Sequence, residues 1–503
     1  MSKGAPKARL KSERRAPASG QRAIVDSRVR DRKPKLIEVT DRVFCANGYS
    51  VSNALFVLTE RSIVVIDTTE SISAARAVLG ELRKTTELPV GHIIYTHFHG
   101  DHIRGAKAFH APGVQIIAQK RMPEELAKNN MLLPYRERVN AIQLGTPLPA
   151  IAGGSLVNDP ENGYLPPDVL FEEELRFEEG GTHFELFHTQ GESADHLMVW
   201  LPREKILFAG DMFYRCFPML SNPLKPDRPV AKWIESLERM RALQPEHLVP
   251  SHGPPMNGAA EIDETLGNYA QAIRHVHDET VRAINEGLTL PRILARVRLP
   301  EDLARLPYLA ERYGTVRWAV QGIFRQYTGW YDFNPAHINA RPRLARSAAL
   351  LEAAGGPAPF VWRARRALDA GEKQTVLELT EIVLDVRPRH ERALALRLAA
   401  LTRLANTGSN ALERNIYRAA AKSLSQAPTG RASTKLPVQT QAAAGIDQDE
   451  GRTTTDSPNE LAQREDAATR QRKPIARGSQ RKWRDRAGES QSSGSSETKA
   501  EPE

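Results

Sequence analysis

The sequence predicts an α/β layered domain followed by an all-helical one, set between disordered ends. Three observations carry this. Over residues 36–287, short apolar strand-like runs alternate with single segments of helical period, the pattern of stacked α and β layers. From about Leu344 to Leu424 the chain turns Ala/Leu/Arg-rich with helical period throughout. Residues 1–35 and 426–503 hold few large apolar side chains and should not fold alone. At 503 residues, more than one domain is expected in any case.

Taken in order, Ile37-Glu38-Val39 and Val43-Phe44-Cys45 read as strands, as does Val51 to Leu58. A turn at Thr59-Glu60-Arg61 leads into Ile63-Val64-Val65-Ile66, a strand that ends at Asp67. Residues 70–86 are an amphipathic helix with Ala75, Val78, Leu79 and Leu82 on one face, and Val90 to Thr96 is again a strand. Residues 120–180 are rich in Pro, Gly and Asn and read as a long insertion of loops over the site. Phe184–His188 and Leu197–Leu201 are strands. Pro229 to Leu243 is a helix with Pro in its first turn and Trp233, Leu237 and Met240 on one face. A longer helix covers 258–287 and stops at Gly287. Residues 288–425 form a helical domain of one or two paired units, fewer than a free-standing solenoid needs. Its spare apolar face is expected to pack on a second copy of the chain, giving a homodimer.

Composition narrows the class. The net charge of +9 comes from residues 1–36, where 12 Lys and Arg face 3 acids, so the rest of the chain is neutral on balance. A basic leader can touch nucleic acid or anionic surfaces, but a solvated leader needs no such partner. The two cysteines, Cys45 and Cys216, make no disulfide framework and lack metal-site spacing, which fits a reducing compartment. No apolar run is long enough for a membrane span and no secretory signal core is visible. A cytoplasmic protein is expected.

The chemistry is concentrated in His97-Phe98-His99-Gly100-Asp101-His102. Only 14 His occur in the chain, and three are here, at the end of a strand. In extended backbone His97 and His99 point the same way, because side chains alternate with period two. Asp101 and His102 lie past the strand end, where the backbone turns. This arrangement can hold two metal ions side by side, an imidazole pair on one and a carboxylate with an imidazole on the other. Such donors suit zinc, and also iron or manganese. His92, His110, His275 and His277 show no comparable setting.

At these residues the chain resembles the metallo-β-lactamase superfamily, whose signature is HxHxDH. Further elements recur in the right order: the strand ending in Asp67, Leu207-Phe208-Ala209-Gly210-Asp211, and His247-Leu248-Val249-Pro250-Ser251-His252-Gly253. In most members a Gly-His-Thr turn supplies another ligand. Here the matching turn reads His188-Thr189-Gln190-Gly191-Glu192-Ser193-Ala194-Asp195-His196. Glu in the His position is similar to the alkyl sulfatase branch. So is Gly329-Trp330-Tyr331-Asp332-Phe333-Asn334-Pro335, and Asn410 to Tyr417 resembles the end of that branch's helical dimerisation domain.

The resemblance implies an αββα sandwich and two divalent metal ions, zinc by default. His97, His99 and Glu192 would hold the first ion, Asp101, His102 and His252 the second, and Asp211 would bridge. Asp101 and Asp211 are the carboxylates on which turnover would depend. Asp67 and His196 would stand behind the ligands, although His196 and His188 remain rival ligands to Glu192. Asp211 could also serve as a helix cap and His252 as a turn residue. Two departures matter. The branch's Tyr-x-x-Arg-Gly stretch has no match near Leu220 to Arg228, leaving Tyr214, Arg215, Lys225 and Arg228 as substrate-binding candidates. Where longer members carry a sterol-carrier-like domain, this chain turns polar after residue 425, which weakens the case for long-alkyl substrates. The implied function is hydrolysis of small sulfate esters by a water that two metals acidify. Another ester, a thioester or a lactone is the alternative, and a non-catalytic interaction protein a third. A nuclease is disfavoured, because only 40 residues separate Asp211 from His252, too few for the extra domain such enzymes insert there.

Overall fold

The computed structural model describes residues 33–146 and 159–426. The leader and tail expectations therefore lie almost wholly outside the described residues, as does part of the 120–180 insertion. Two mixed sheets face one another. The first runs in chain order: β1 (Lys35–Thr40), β2 (Val43–Asn47), β3 (Ala54–Leu58), β4 (Ile63–Ile66), β5 (Val90–Ile94), β6 (Gln115–Gln119) and β7 (Val169–Phe171). Its pairings are antiparallel as far as β4 and parallel beyond. The second also follows chain order: β8 (Glu174–Glu179), β9 (Thr182–His188), β10 (Leu197–Leu201), β11 (Ile206–Gly210), β12 (His247–Pro250) and β13 (Met256–Asn257). Only β11 and β12 are parallel in it.

The strands are apolar on both faces because each sheet is covered on both faces. In β4, Val64 and Ile66 join the core between the sheets, while Ile63 and Val65 face the other way. There they meet Ala75, Val78 and Leu82 of α1 (Ile72–Leu82). In β11, Phe208 lies between the sheets and Leu207 and Ala209 face outward. The outer face of the second sheet carries the helices Val230–Ala242 and Ala259–Asn285, seated through Trp233, Leu237, Tyr269 and Ile273. Period-two alternation between two buried environments thus sets an αββα sandwich.

The expectation of loops over 120–180 is corrected. Met122–Met131 and Leu133–Leu144 are helices. Pro123 and Pro134 sit in their first turns, where the missing N–H costs nothing. Residues 174–179 form β8, whose Leu175 and Phe177 face the inner core while Glu174, Arg176 and Glu178 are exposed.

The helical segment also differs from expectation. Ala358–Asp369, Lys373–Val386 and Glu391–Thr407 close a small core of their own around Ala364, Leu368, Val376, Leu396 and Ala400, and Arg343–Ala353 packs beside it through Leu351, against Val383 and Ala393. The last described helix, Ala411–Gln426, packs back toward the sandwich. Leu412 is buried against Met219 and Trp318, and Asn415 Nδ2 donates to the Gln143 carbonyl at 2.8 Å. Part of the spare apolar face is therefore covered within one chain. Trp330, Phe333, Leu344, Leu350 and Trp362 stay exposed. Among the described residues no helix is long and apolar enough to cross a membrane.

This docking is testable. Leu412→Ala should cost about 2–5 kcal/mol in denaturant unfolding, the range for emptying a leucine site in a packed core. Leu350→Ala, at an exposed position, should cost almost nothing. Equal, small effects would show that the last helix is not seated.

Candidate metal centre

The chemistry-bearing residues emerge at one edge of the sandwich. The strands β4, β5, β9, β11 and β12 all run toward this edge, so the residues after each strand meet there. The two sheets are stitched at that edge by backbone bonds, Leu197 N–H to Thr96 O at 2.8 Å and Asn53 N–H to Ser251 O at 2.7 Å.

Two donor clusters form. His97, His99, Glu192 and Asp211 converge in one, and Asp101, His102 and His252 in the other. His97 Nε2 and His99 Nδ1 approach to 2.7 Å, and His99 Nδ1 lies 3.5 Å from Glu192 Oε1. His102 Nε2 is 3.4 Å from Asp101 Oδ2 and 3.6 Å from Asp211 Oδ1. His252 Nε2 is 3.2 Å from Asp211 Oδ2. Asp211 therefore reaches both groups, being 3.9 Å from His97 Nε2 as well.

The far nitrogens are fixed. His102 Nδ1 donates to Asp67 Oδ2 at 2.7 Å, and His252 Nδ1 donates to the Val51 carbonyl at 3.0 Å. His97 Nδ1 lies 3.0 Å from Thr96 Oγ1. These contacts aim Nε2 of each ring inward, as hydrogen bonds to the far nitrogen do for imidazole metal ligands in general. Asp67 itself is fully buried at φ 59°, a left-handed conformation that Asp tolerates better than most residues. Besides His102 it accepts from Thr96 N–H, Thr96 Oγ1 and Ser251 Oγ, each at 2.9 Å.

The residues fit a cation. Among the described residues, His102 Nε2 and Glu192 Oε2 are buried with no hydrogen-bond partner. Burial, with neighbouring imidazoles adding, holds His97 well below the usual histidine range. Burial, with Lys225 adding, does the same to His99, so both rings are neutral and ready to ligate. Burial opposes the charge on His102 too, but Asp101, Asp67 and Asp211 outweigh it and hold that ring well above its usual range. His252 is likewise lifted to about 9 against burial, by Asp211 and Asp101. A cation in place of those protons would satisfy the same carboxylates.

His196 and His188 behave differently. His196 Nδ1 donates to Thr189 Oγ1 at 2.6 Å and Nε2 accepts from Asp211 N–H at 3.1 Å, so both nitrogens are occupied. Burial holds it neutral, down to about 3. Its ring lies where a Cβ on Gly210 would sit, so glycine is needed there, at φ 55°. His188 Nε2 donates to the Ala194 carbonyl at 2.9 Å. Glu192 is the turn residue that reaches the first cluster, through Gly191 at φ 148°.

The four anion-binding candidates separate. Arg228 is ion-paired to Glu192 Oε1 and donates to the Met219 carbonyl at 2.7 Å. Tyr214 is buried, and its hydroxyl accepts from Met219 N–H at 2.7 Å. Arg215 is exposed and donates to the Pro255 carbonyl at 3.3 Å. Lys225 is half-buried, and burial and Arg228 hold it down to about 8.

Comparison with known proteins places this arrangement. Residues 47–252 match the metallo-beta-lactamase superfamily, and residues 289–427 match the alkyl sulfatase dimerisation family. A linear primary-alkylsulfatase of Pseudomonas sp. is 30% identical over 401 residues, 76% of this chain and 75% of the relative. The chain belongs to the alkyl sulfatase branch of the metallo-beta-lactamase superfamily. An (R)-specific secondary-alkylsulfatase of Pseudomonas sp. is 26% identical over 77% of this chain, and the chain spans only 62% of that relative's length. The solved structure of a double mutant of the sec-alkyl sulfatase PisA1 superposes with a TM-score of 0.71 at 25% identity, covering 79% of this chain and 66% of that one.

Membership in this alkyl sulfatase branch and the two donor groups together support binding of divalent metal. Several supporting residues were not visible beforehand. Thr96, Ser251, Asn53 and Glu70 belong to no short motif; Thr96 and Ser251 adjoin His97 and His252 in the sequence, whereas nothing local marks Asn53.

If His196 is a brace and not a ligand, His196→Ala should retain the wild-type metal content by elemental analysis. Its stability should fall by about 1–3 kcal/mol, the usual cost of leaving a buried N–H, here that of Asp211, without an acceptor. Loss of one ion per chain would reverse the assignment.

Proposed function

We propose that the chain is a binuclear metal-dependent hydrolase of small sulfate esters. The observation that carries this is the pair of adjacent donor clusters sharing Asp211, with Glu192 where most of the superfamily has His. His97, His99 and Glu192 would hold the first ion and Asp101, His102 and His252 the second, with Asp211 within reach of both groups. Imidazole and carboxylate donors favour zinc, with manganese or iron compatible. Bound metals would supply an acidified water and an electrophile at the ester.

The chain's own residues do the rest. Arg228 offsets the charge of Glu192, so the first cluster is less anionic than its ligands alone suggest. Burial and Arg228 hold Lys225 down to about 8 against the pull of Asp101 and Glu192, and of the four described candidates it is the one we assign to receive a sulfate oxygen. Tyr214 and Arg228 both hold Met219, which fixes the loop that carries Lys225. Asp211 and Asp101 remain charged, since His252 and His102 outweigh the effect of burial on both.

A homodimer is part of the same proposal. It is supported by the alkyl sulfatase dimerisation match and by exposed Trp330, Phe333, Leu344 and Trp362 on that segment. So are the domain limits, 36–287 for the hydrolase and 288–425 for the helical part. A reducing, cytoplasmic setting is supported by two buried free cysteines, whose thiols burial pushes up to about 12.

Metal-replete protein tested on alkyl sulfates, lactones, thioesters and phosphodiesters should release sulfate from the first class. Turnover of lactones or thioesters without sulfate release would overturn the substrate reading. Glu192→Gln keeps the volume and removes the ligand charge. First-site metal affinity should fall beyond the ~10–100-fold typical of losing a mere outer partner. Elemental analysis should then find nearer one ion than two.

A further inference from the structure

Between β2 and β3 the chain makes a short irregular loop, Ser50-Val51-Ser52-Asn53, that carries no metal donor. Each of its four residues nevertheless contacts something that sets the second cluster. Asn53 is buried, and its amide nitrogen donates to two carbonyls, Pro250 at 2.9 Å and Gly253 at 2.8 Å. Its backbone N–H donates to a third, Ser251, at 2.7 Å. Its Oδ1 accepts from Asn47 Nδ2 at 3.0 Å. One side chain thus brackets His252 on both sides, across a chain separation of about 200 residues. Only an amide offers two N–H donors and an acceptor in that space.

Val51 supplies the carbonyl that accepts from His252 Nδ1. Glu70 in turn fixes Val51: its Oε2 accepts from Val51 N–H at 2.7 Å and from the Ser50 hydroxyl. Ser52 Oγ donates to the backbone carbonyl of Asp101. The loop therefore touches the ring and backbone around His252 and the backbone of Asp101. The first cluster has other supports, Thr96 behind His97 and Arg228 on Glu192.

We propose that the 50–53 loop, latched by Asn53 and Glu70, is the template that positions the second metal's ligands alone. Asn53 and Glu70 are positioning residues, acting through His252 and Asp101. The inference rests on the two-metal reading above. Its consequence is asymmetry: damage to the latch weakens one site and spares the other.

Calorimetric titration of metal-stripped full-length chain with zinc tests it. Wild type should take up two ions, and the step removed by Glu192→Gln marks the first site. Asn53→Ala should weaken only the other step, by about 10–100-fold, as loss of an outer partner does elsewhere. Glu70→Gln keeps an acceptor for Val51 N–H and should titrate close to wild type. If Asn53→Ala fails to fold, Ser52→Ala removes the Asp101 contact alone and should show a smaller loss at the same step. Equal weakening of both steps, or no change in either with folded protein, would overturn the inference while leaving two metals in place. A wild-type chain that takes up one ion would overturn the two-metal reading and this inference with it.

Discussion

The fully buried carboxylate of Asp67 is the contact on which the site's geometry depends. Two oxygens receive four donors from three separate places in the chain: Thr96 twice, His102 and Ser251. Hydrogen bonds to a charged group contribute about 1.5–3 kcal/mol each, and an unmet buried charge costs more than that. The end of β4 is thereby fastened to the end of β5, to the start of the helix holding His102, and to the turn after β12. The last of these lies in the opposite sheet. Asp67 belongs to neither donor group, yet it bonds both to the HFHGDH segment and to the turn that carries His252.

Much of this was legible in the sequence because the informative residues are local. His97 to His102 fall within one strand end, where period two and a single turn dictate their relative directions. The α/β layering was legible from short apolar strands alternating with single helical segments, whereas the αββα sandwich itself came from the family resemblance. Glu192 is a different case. Its role came from comparison of the His188–His196 turn with a related branch, and the residue pattern alone left His196 open. The hydrogen bonds of His196 to Thr189 and the Asp211 backbone now account for both of its nitrogens. Asn53 was not legible, since its partners lie about 200 residues away and nothing in Val51-Ser52-Asn53 distinguishes it from a turn.

The misread stretch has a local cause. Pro123 and Pro134 look like helix breakers in a window already rich in Pro and Gly, yet both occupy first turns, where proline starts helices. The helix 133–144 has a structural part to play: the last helix of the chain docks on it through Asn415 and Gln143, and Gln143 Nε2 reaches the Tyr313 hydroxyl at 2.8 Å. Tyr313 lies edge-on to Tyr214, which braces Met219 and through it the loop of Lys225 and Arg228. The helical domain is thus connected by direct contacts to the loop proposed to receive sulfate. A helical period shows that a face is apolar; it does not show which surface covers it.

The most direct test of two ions sharing Asp211 is a crystal structure of zinc-replete protein with data at the zinc absorption edge. Two anomalous peaks about 3.5–4 Å apart, the spacing of two-metal sites, should flank the Asp211 carboxylate. Glu192 should ligate one and His252 the other. A single peak, or a pair with Glu192 left out of both coordination shells, would contradict the account.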